Sequence, residues 1–355
     1  MTAPAMKDFS YLKALLESPG PSGFEQEVQK LFRSFASDYC DDVSTDVHGN
    51  VVAFKKGTLD KKIMLTAHID EIGFMVKHID DHGCIRFDSI GGVDPALLPG
   101  LAVRVYGDSG TSDGIIGKKP IHLMDQEERN KAVKLDDLWI DIGAASAEAA
   151  KKMVSVGDYI TFRPSFTELP GRLLASKSLD DRIGVFVLSS VLKELSSVKD
   201  LPDIYVVSSV QEEVGLRGAV TSAYNIKPDI GIAVDVTHAS DYPSIDKNKH
   251  GDVKLGKGCV FHVGANINSR VLALLKNTAK GAGIDYQLEA SPRNTGTEAN
   301  ALQLSRGGVA TGLVSIPLRY MHSPNEIVSL KDTESAIKVI AAFCKSIDGN
   351  TDLIP

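Results

Sequence analysis

Ile204-Tyr205-Val206-Val207-Ser208-Ser209-Val210-Gln211-Glu212-Glu213-Val214-Gly215 is an apolar run that ends in two adjacent acids and a glycine. The run reads as a buried strand, and Gly215 with Gly218 marks a sharp turn just beyond it. Side chains alternate faces along a strand, so Glu212 and Glu213 should not do the same work. An isolated Glu-Glu pair is ordinarily a solvated strand end. The rest of the chain argues against that reading here, because the same kind of ending recurs.

The run 63–67 delivers His68 and Asp70, and 231–234 delivers Asp235. A strand ending near Ile316 leads through Pro317-Leu318-Arg319-Tyr320-Met321 to His322. Asp180 and Asp181 open a helix after Ala175-Ser176-Lys177, where Ser178-Leu179-Asp180-Asp181 reads as its cap. Beyond Pro164, strands over 203–210, 230–236, 286–289 and 309–316 alternate with helices over 180–195, 268–280, 297–305 and 332–347. Such alternation predicts a mostly parallel sheet flanked by helices on both faces. Over 73–164 the texture changes to short β-type runs between Gly-rich turns, with a polar excursion at 118–134. That spacing predicts a small all-β barrel or sandwich. The fold class is therefore α/β: residues 1–72 and 165–355 form a discontinuous catalytic domain, and 73–164 form an inserted β-barrel. At the start, a helix over 11–17 stops at Pro19-Gly20-Pro21, and Ser22-Gly23-Phe24-Glu25 reads as a capping box for the next helix.

The bulk properties narrow the partners. A net charge of −7, with no Lys/Arg run longer than two, argues against nucleic acid and anionic membranes. Cys40, Cys84, Cys259 and Cys344 are far apart, which indicates neither a disulfide framework nor a thiolate zinc site. Residues 1–7 lack a basic-then-apolar leader, and no apolar run reaches membrane-span length. A cytoplasmic protein is expected.

Ligands of parallel α/β sheets bind beyond the carboxyl ends of the strands, where all these acids and histidines collect. Imidazole with carboxylate suits a pair of divalent ions, zinc first, with cobalt or manganese as alternatives. If His68, Asp180, Glu213, Asp235 and His322 are the ligands, three carboxylates leave one positive charge on two ions, which a bridging hydroxide would cancel. Glu212, left free, could then act as general base and acid. Asp70 can accept the other ring N–H of His68 and fix its tautomer. Each piece has an ordinary reading: Leu179-Asp180-Asp181-Arg182 alone is an N-cap with an ion pair, and His322 alone a loop residue. Their coincidence at one rim outweighs those readings. His122 and His238 are further candidates for the rim, whereas His48, His78, His82, His250 and His262 read as ordinary.

Ala67-His68-Ile69-Asp70-Glu71-Ile72-Gly73, Ser89-Ile90-Gly91-Gly92-Val93-Asp94, Leu179-Asp180-Asp181-Arg182, Glu212-Glu213-Val214-Gly215-Leu216-Arg217-Gly218, Asp235-Val236-Thr237 and Met321-His322-Ser323 resemble, in order and spacing, the M42 family of metallopeptidases, the tetrahedral (TET) aminopeptidases. The resemblance spans nearly the whole chain. It implies His68 and Asp235 on one metal, Glu213 and His322 on the other, and Asp180 bridging, with Asp181 structural. It implies Glu212 as general base, Asp70 as the acid orienting His68, and peptides as substrates. It also implies dimers assembling into a dodecamer through the inserted domain, with the 118–134 excursion near a neighbouring subunit's site. One departure stands out: Gly296-Thr297-Glu298 replaces the family's usual Gly-Thr-Asp, and an extra methylene there is expected to bear on specificity. The rival readings are a dimetal deacylase of N-acyl amino acids, a glycoside hydrolase using two carboxylates without metal, and a non-enzymatic scaffold. A scaffold would be expected to have lost a ligand, and none is missing.

Overall fold

The apolar runs form the middle of an eleven-stranded sheet, seen in a computed structural model that describes residues 6–355 apart from Ser109. Most of the N-terminal stretch read as leader-free, Met1–Ala5, lies outside the described residues. In chain order the strands outside the barrel are β1 (Asp42–Thr45), β2 (Val51–Lys55) and β3 (Leu59–His68). The barrel strands β4 (Gly73–Ile79), β5 (Ile85–Ile90), β6 (Ala102–Gly107), β7 (Gly110–Gly117), β8 (Trp139–Asp141) and β9 (Tyr159–Phe162) follow. Next come β10 (Thr167–Leu169), β11 (Leu173–Ser176), β12 (Pro202–Ser209), β13 (Ile230–His238), β14 (Cys259–Gly264), β15 (Tyr286–Ser291), β16 (Ala310–Arg319) and β17 (Glu326–Ser329). The sheet order is β1-β2-β12-β3-β13-β16-β17-β11-β10, with β14 and β15 branching from β16. Its centre, β12-β3-β13-β16, is parallel, and antiparallel strands flank it on both sides.

Both faces of that centre are buried. Alternation along β3 sends Ile63 and Leu65 into the main core and Met64 into a smaller core on the opposite face. The same split on β12 places Ile204 and Val206 against Val207. Helices Met6–Glu17, Gln26–Ala36, Leu179–Leu195 and Leu330–Ser346 cover the first face, with Leu179–Leu195 packed on β3 and β13. Arg217–Ile226 and Ala299–Gln303 cover the other. Arg217–Ile226 has no counterpart in the sequence reading, because Gly218 and Thr221 are poor helix formers. Gly218 is required by packing: a Cβ there would sit 2.3 Å from Asn50 Oδ1 and 2.5 Å from the Val210 carbonyl.

The six strands β4-β5-β8-β7-β6-β9 close into a barrel with its own core. Inside it Phe74 meets Phe87 and Phe162 edge-on, with ring centroids 5.1 and 5.4 Å apart. The fold class read from the sequence is therefore the one found: an α/β sheet with helices plus a closed β-barrel. Among the described residues no helix is long and apolar enough to cross a membrane.

Two local expectations fail for one reason. Ser22 does not cap the second helix; its hydroxyl donates to Asp70 Oδ2 at 2.6 Å. Ser178 does not cap Leu179–Leu195 either, and its hydroxyl donates to the Glu71 carboxylate. A buried carboxylate is a stronger acceptor partner than a helix N–H is a donor, so both serines turn inward.

Candidate metal centre

β3, β12, β13 and β16 all run toward the same rim, where the acids and histidines converge. β3 ends on His68, whose Nε2 lies 3.1 Å from Asp180 Oδ1. The other oxygen of Asp180 lies 3.3 Å from His322 Nε2, which is also 3.3 Å from Glu213 Oε1. Asp180 thus faces one imidazole with each carboxylate oxygen. The ligand atoms of Asp180, Glu213 and His322 lie within 4.8 Å of one another, and so do those of His68, Asp181 and Asp235. All five residues read from the sequence as ligands are brought to this one place. Asp181 stands with them: its peptide bond to Asp180 is cis, Oδ1 accepts from Gly184 N at 3.1 Å, and buried Oδ2 has no hydrogen-bond partner among the described residues.

Two imidazoles are too few for so many buried carboxylates. Burial, then the Asp235 charge, pushes Asp181 well above the usual carboxylate range, and burial likewise raises Asp235. Burial raises Glu213 against the pull of His322. Burial also pushes Glu212 up to about 9 against the attraction of His68, with Asp235, Glu213 and Asp180 adding to the rise. Burial opposes a charged His322, yet Asp180 and Glu213 push it up to about 11. Such a donor set, N and O together with one orphaned buried carboxylate oxygen, fits divalent cations of the zinc type. Glu212 approaches His68 no closer than 3.9 Å and belongs to neither cluster.

Three further carboxylates hold the frame. Asp70, fully buried, accepts the backbone N–H groups of Glu212 and Glu213 at 3.1 and 3.2 Å. His68 Nδ1 lies 3.1 Å from the Asp70 carbonyl and 3.6 Å from its carboxylate, so the expected partner is adjacent, although the closer acceptor is backbone. Burial works against a charged Asp70, but His68 and Ser22 hold it below its ordinary range. Glu326 accepts from Asp180 N at 3.0 Å and His322 N at 2.9 Å, tying the two halves of the centre together. Glu71 lies beneath, paired with Lys177 at 2.6 Å and Arg182 at 3.1 Å. Arg182 therefore pairs with Glu71, where the ordinary sequence reading gave it to the aspartates. Neither Glu71 nor Glu326 emerged from the sequence reading; the available signal was an acid three or four residues beyond a ligand.

The backbone is bent to make this arrangement. Ser178, Gln211, Leu216, Tyr320 and His322, none of them glycine, take left-handed φ values of 58–63°. Such residues persist only where the surroundings over-determine them, and they gather at sites.

A cleft of about 870 Å³ opens on the centre, lined by His68, Asp180, Glu212, Glu213, Asp235 and His322 together with Thr237, His262, Glu289 and Asn300. Of the two further histidine candidates, His238 lines the cleft, whereas His122 is exposed on the excursion from the barrel. His262, read as ordinary, also lines it, held between Ser291 Oγ at 3.0 Å and Ser315 Oγ at 2.9 Å. Glu298 behaves differently from expectation. It is 1% exposed and takes the hydroxyls of Thr66, at 2.7 Å, and Ser209, and it does not line the cleft.

Two tests follow from these supports. Glu326→Gln puts an amide against two backbone N–H groups, and metal affinity is expected to fall roughly 10–100-fold, as for other groups that orient ligands. Competition with a chromophoric chelator measures it, and unchanged affinity would remove Glu326 from this role. Glu298→Asp withdraws the carboxylate from Thr66 and Ser209, with an expected loss of about 1–3 kcal/mol of stability and no change in substrate preference. Denaturant unfolding and a substrate panel check both halves; a changed preference with intact stability would return Glu298 to the cleft.

A mixed sheet whose parallel strand ends carry two cation-type clusters, joined to a closed β-barrel, defines a metallopeptidase-like architecture. The chain belongs to the M42 glutamyl aminopeptidase family, whose model matches residues 49–339, and it is an aminopeptidase-class hydrolase. It is 39% identical over 347 residues to the lysyl aminopeptidase of Pyrococcus furiosus, covering 96% of this chain and 98% of that protein. A TET aminopeptidase from the marine sediment archaeon Thaumarchaeota archaeon SCGC AB-539-E09 superposes with a TM-score of 0.94 at 36% identity, covering 98% and 99% of the two chains. The Pyrococcus horikoshii TET1 peptidase, which can assemble into a tetrahedron or a large octahedral shell, superposes with a TM-score of 0.85 at 32% identity, covering 96% and 100%.

Proposed function

We propose that the protein removes N-terminal residues from peptides with two divalent cations, one held by His68, Asp180 and Asp235 and the other by Asp180, Glu213 and His322. Asp181 stands beside the first. The observation that carries this reading is Asp180, whose two oxygens face His68 at 3.1 Å and His322 at 3.3 Å from a buried position. Bound there, the cations would supply Lewis-acid polarisation of the scissile carbonyl and a lowered pKa for attacking water. Glu212, outside both clusters but open to the cleft, would be held ionised by the positive charge of the two cations, and it takes the proton from that water and returns it to the leaving amine. Asp70 holds the Glu212 and Glu213 backbone in register for this. The walls of Thr237, His262, Glu289 and Asn300 receive the peptide's first residue.

Zinc is the proposed metal, with cobalt or manganese as substitutes. Residues 73–164 are proposed as an inserted oligomerisation unit. Its excursion exposes Ile121 and Leu123, and a relative assembles into closed shells. A dodecamer built from dimers is the corresponding assembly proposed here.

Treatment with a chelator is expected to abolish hydrolysis of a free-amine peptide, and zinc or cobalt to restore it. The N-acetylated form of the same peptide should remain uncleaved. Activity that survives chelation, or a preference for the acetylated peptide, would overturn the reading.

A further inference from the structure

β5 ends at Ile90, and Gly91 and Gly92 follow it directly. The turn they make is fastened to the barrel on both sides. Ile90 is paired with Gly73 on β4, and Val93 packs on the barrel core. Asp94 caps the short helix Pro95–Leu97, accepting from Ala96 N at 2.9 Å. What the turn presents to the catalytic domain is bare backbone. A Cβ on Gly91 would lie 3.3 Å from both Cβ and Oε2 of Glu213. A Cβ on Gly92 would lie 3.2 Å from Nδ1 and 3.6 Å from Cε1 of His322. Apart from its chain neighbours, it would meet no other group within 4 Å among the described residues. Glu213 and His322 belong to one cluster, and the atoms nearest either glycine include none from His68, Asp181 or Asp235.

Local needs do not explain a glycine at 92. The residue is exposed and its φ is not positive, so a side chain there would strain no backbone. Alanine would even favour folding, because it narrows the unfolded ensemble. The one cost falls on the imidazole of His322. Its Nε2 faces Asp180 and Glu213 at 3.3 Å each, its backbone N–H is held by Glu326 at 2.9 Å, and its Nδ1 edge faces Gly92. A ring confined in this way makes room for a methyl group only by swinging, and a metal–ligand distance tolerates a change of only about 0.2 Å. We infer that Gly92 is a positioning residue for the second cation. The barrel's turn backs the ring of His322, and only glycine leaves that ring where Nε2 can share a cation with Asp180 and Glu213. The inference rests on the two-cation reading above. It adds that the inserted barrel supplies a wall to one of the two cation sites and not to the other.

Cobalt titration of the metal-free, full-length protein tests this, because the visible absorption of bound cobalt reports its coordination. A competing chelator sets the affinity of each step. The parent is expected to take up two ions per chain in two steps. In Gly92→Ala one step should be unchanged and the other weakened about tenfold or more, the usual range for groups that orient a ligand. Gly92→Val should weaken that step further. Urea unfolding of the metal-free proteins should give Gly92→Ala a midpoint equal to or above the parent's, which separates a displaced ligand from a damaged fold. Two unchanged cobalt steps in Gly92→Ala would overturn the inference, and so would equal weakening of both steps or a lowered urea midpoint. Turnover lost while both cobalt steps stay intact would also overturn it, since Gly92 would then only leave room for the peptide. A parent that binds no second cobalt would overturn the two-cation reading itself, and this inference with it.

Discussion

Glu212→Gln is expected to lower kcat on an aminoacyl-4-nitroanilide by roughly 10²–10⁴-fold, the range over which a positioned acid–base group contributes. Metal content should stay near two ions per chain. The two halves of this expectation separate a proton carrier from a ligand. Glu213 lies within the Asp180–His322 cluster and Glu212 does not, its nearest imidazole contact being 3.9 Å. Glutamine preserves the length and shape of the side chain, and the backbone bond from residue 212 to Asp70 remains. The proton affinity is what the substitution removes. Elemental analysis beside single-turnover kinetics measures both. Near-normal turnover in a metal-full protein would end the assignment, and loss of metal together with activity would make Glu212 a ligand.

Strand alternation predicts that the two neighbouring glutamates separate, and they do, but β12 ends at Ser209 and the turn after left-handed Gln211 parts them. The rim was legible from one acid or histidine after another at strand ends. His68, Asp180, Glu212, Glu213, Asp235 and His322 carry that signal because each directly follows an apolar run or opens a helix. The alternation of strand and helix made the sheet legible for the same reason, since both faces of β3 and β12 are buried and their runs are nearly unbroken. Glu71 and Glu326 were hidden because what they hold lies far along the chain, Lys177 and Arg182 in the case of Glu71. Glu326 accepts two N–H groups from Asp180 and His322, one of them 146 residues away, and no local pattern encodes such a bond. Ser22 and Ser178 looked like caps because capping is the local use of a serine; the buried carboxylates that claim them come from a different part of the chain. Glu298 shows the converse. Its neighbours Thr297 and Asn300 line the cleft, so sequence proximity suggested a substrate role, but its own side chain is turned under β3 and β12.

The other large expected effect is on folding. Arg182→Leu is expected to cost at least about 3–5 kcal/mol, the usual result of removing one partner from a buried ion pair. Arg182 is wholly buried and donates to the carbonyls of Leu15 at 2.7 Å, Ser18 at 2.5 Å and Ile69 at 3.0 Å as well as to Glu71. It thereby ties the end of the first helix and the Pro19-Gly20-Pro21 turn to the His68-Ile69-Asp70 segment, one residue from a proposed ligand. Burial opposes a charged Glu71, and Arg182 with Lys177 holds it ionised below its ordinary range. Without the guanidinium, Glu71 keeps one cation, the Leu15 and Ile69 carbonyls each lose a donor, and Ser18 keeps only Lys177 at 3.4 Å. A total stability of about 5–15 kcal/mol leaves little room for that loss. Urea unfolding of the metal-free protein measures the cost without the contribution of bound metal. The double variant Arg182→Leu/Glu71→Leu removes the stranded acid with its partner and should recover part of the stability. If Arg182→Leu alone unfolds at the same urea concentration as the parent, the pair is not what fastens the metal centre to the N-terminal turn, and the carbonyls must be held by other groups.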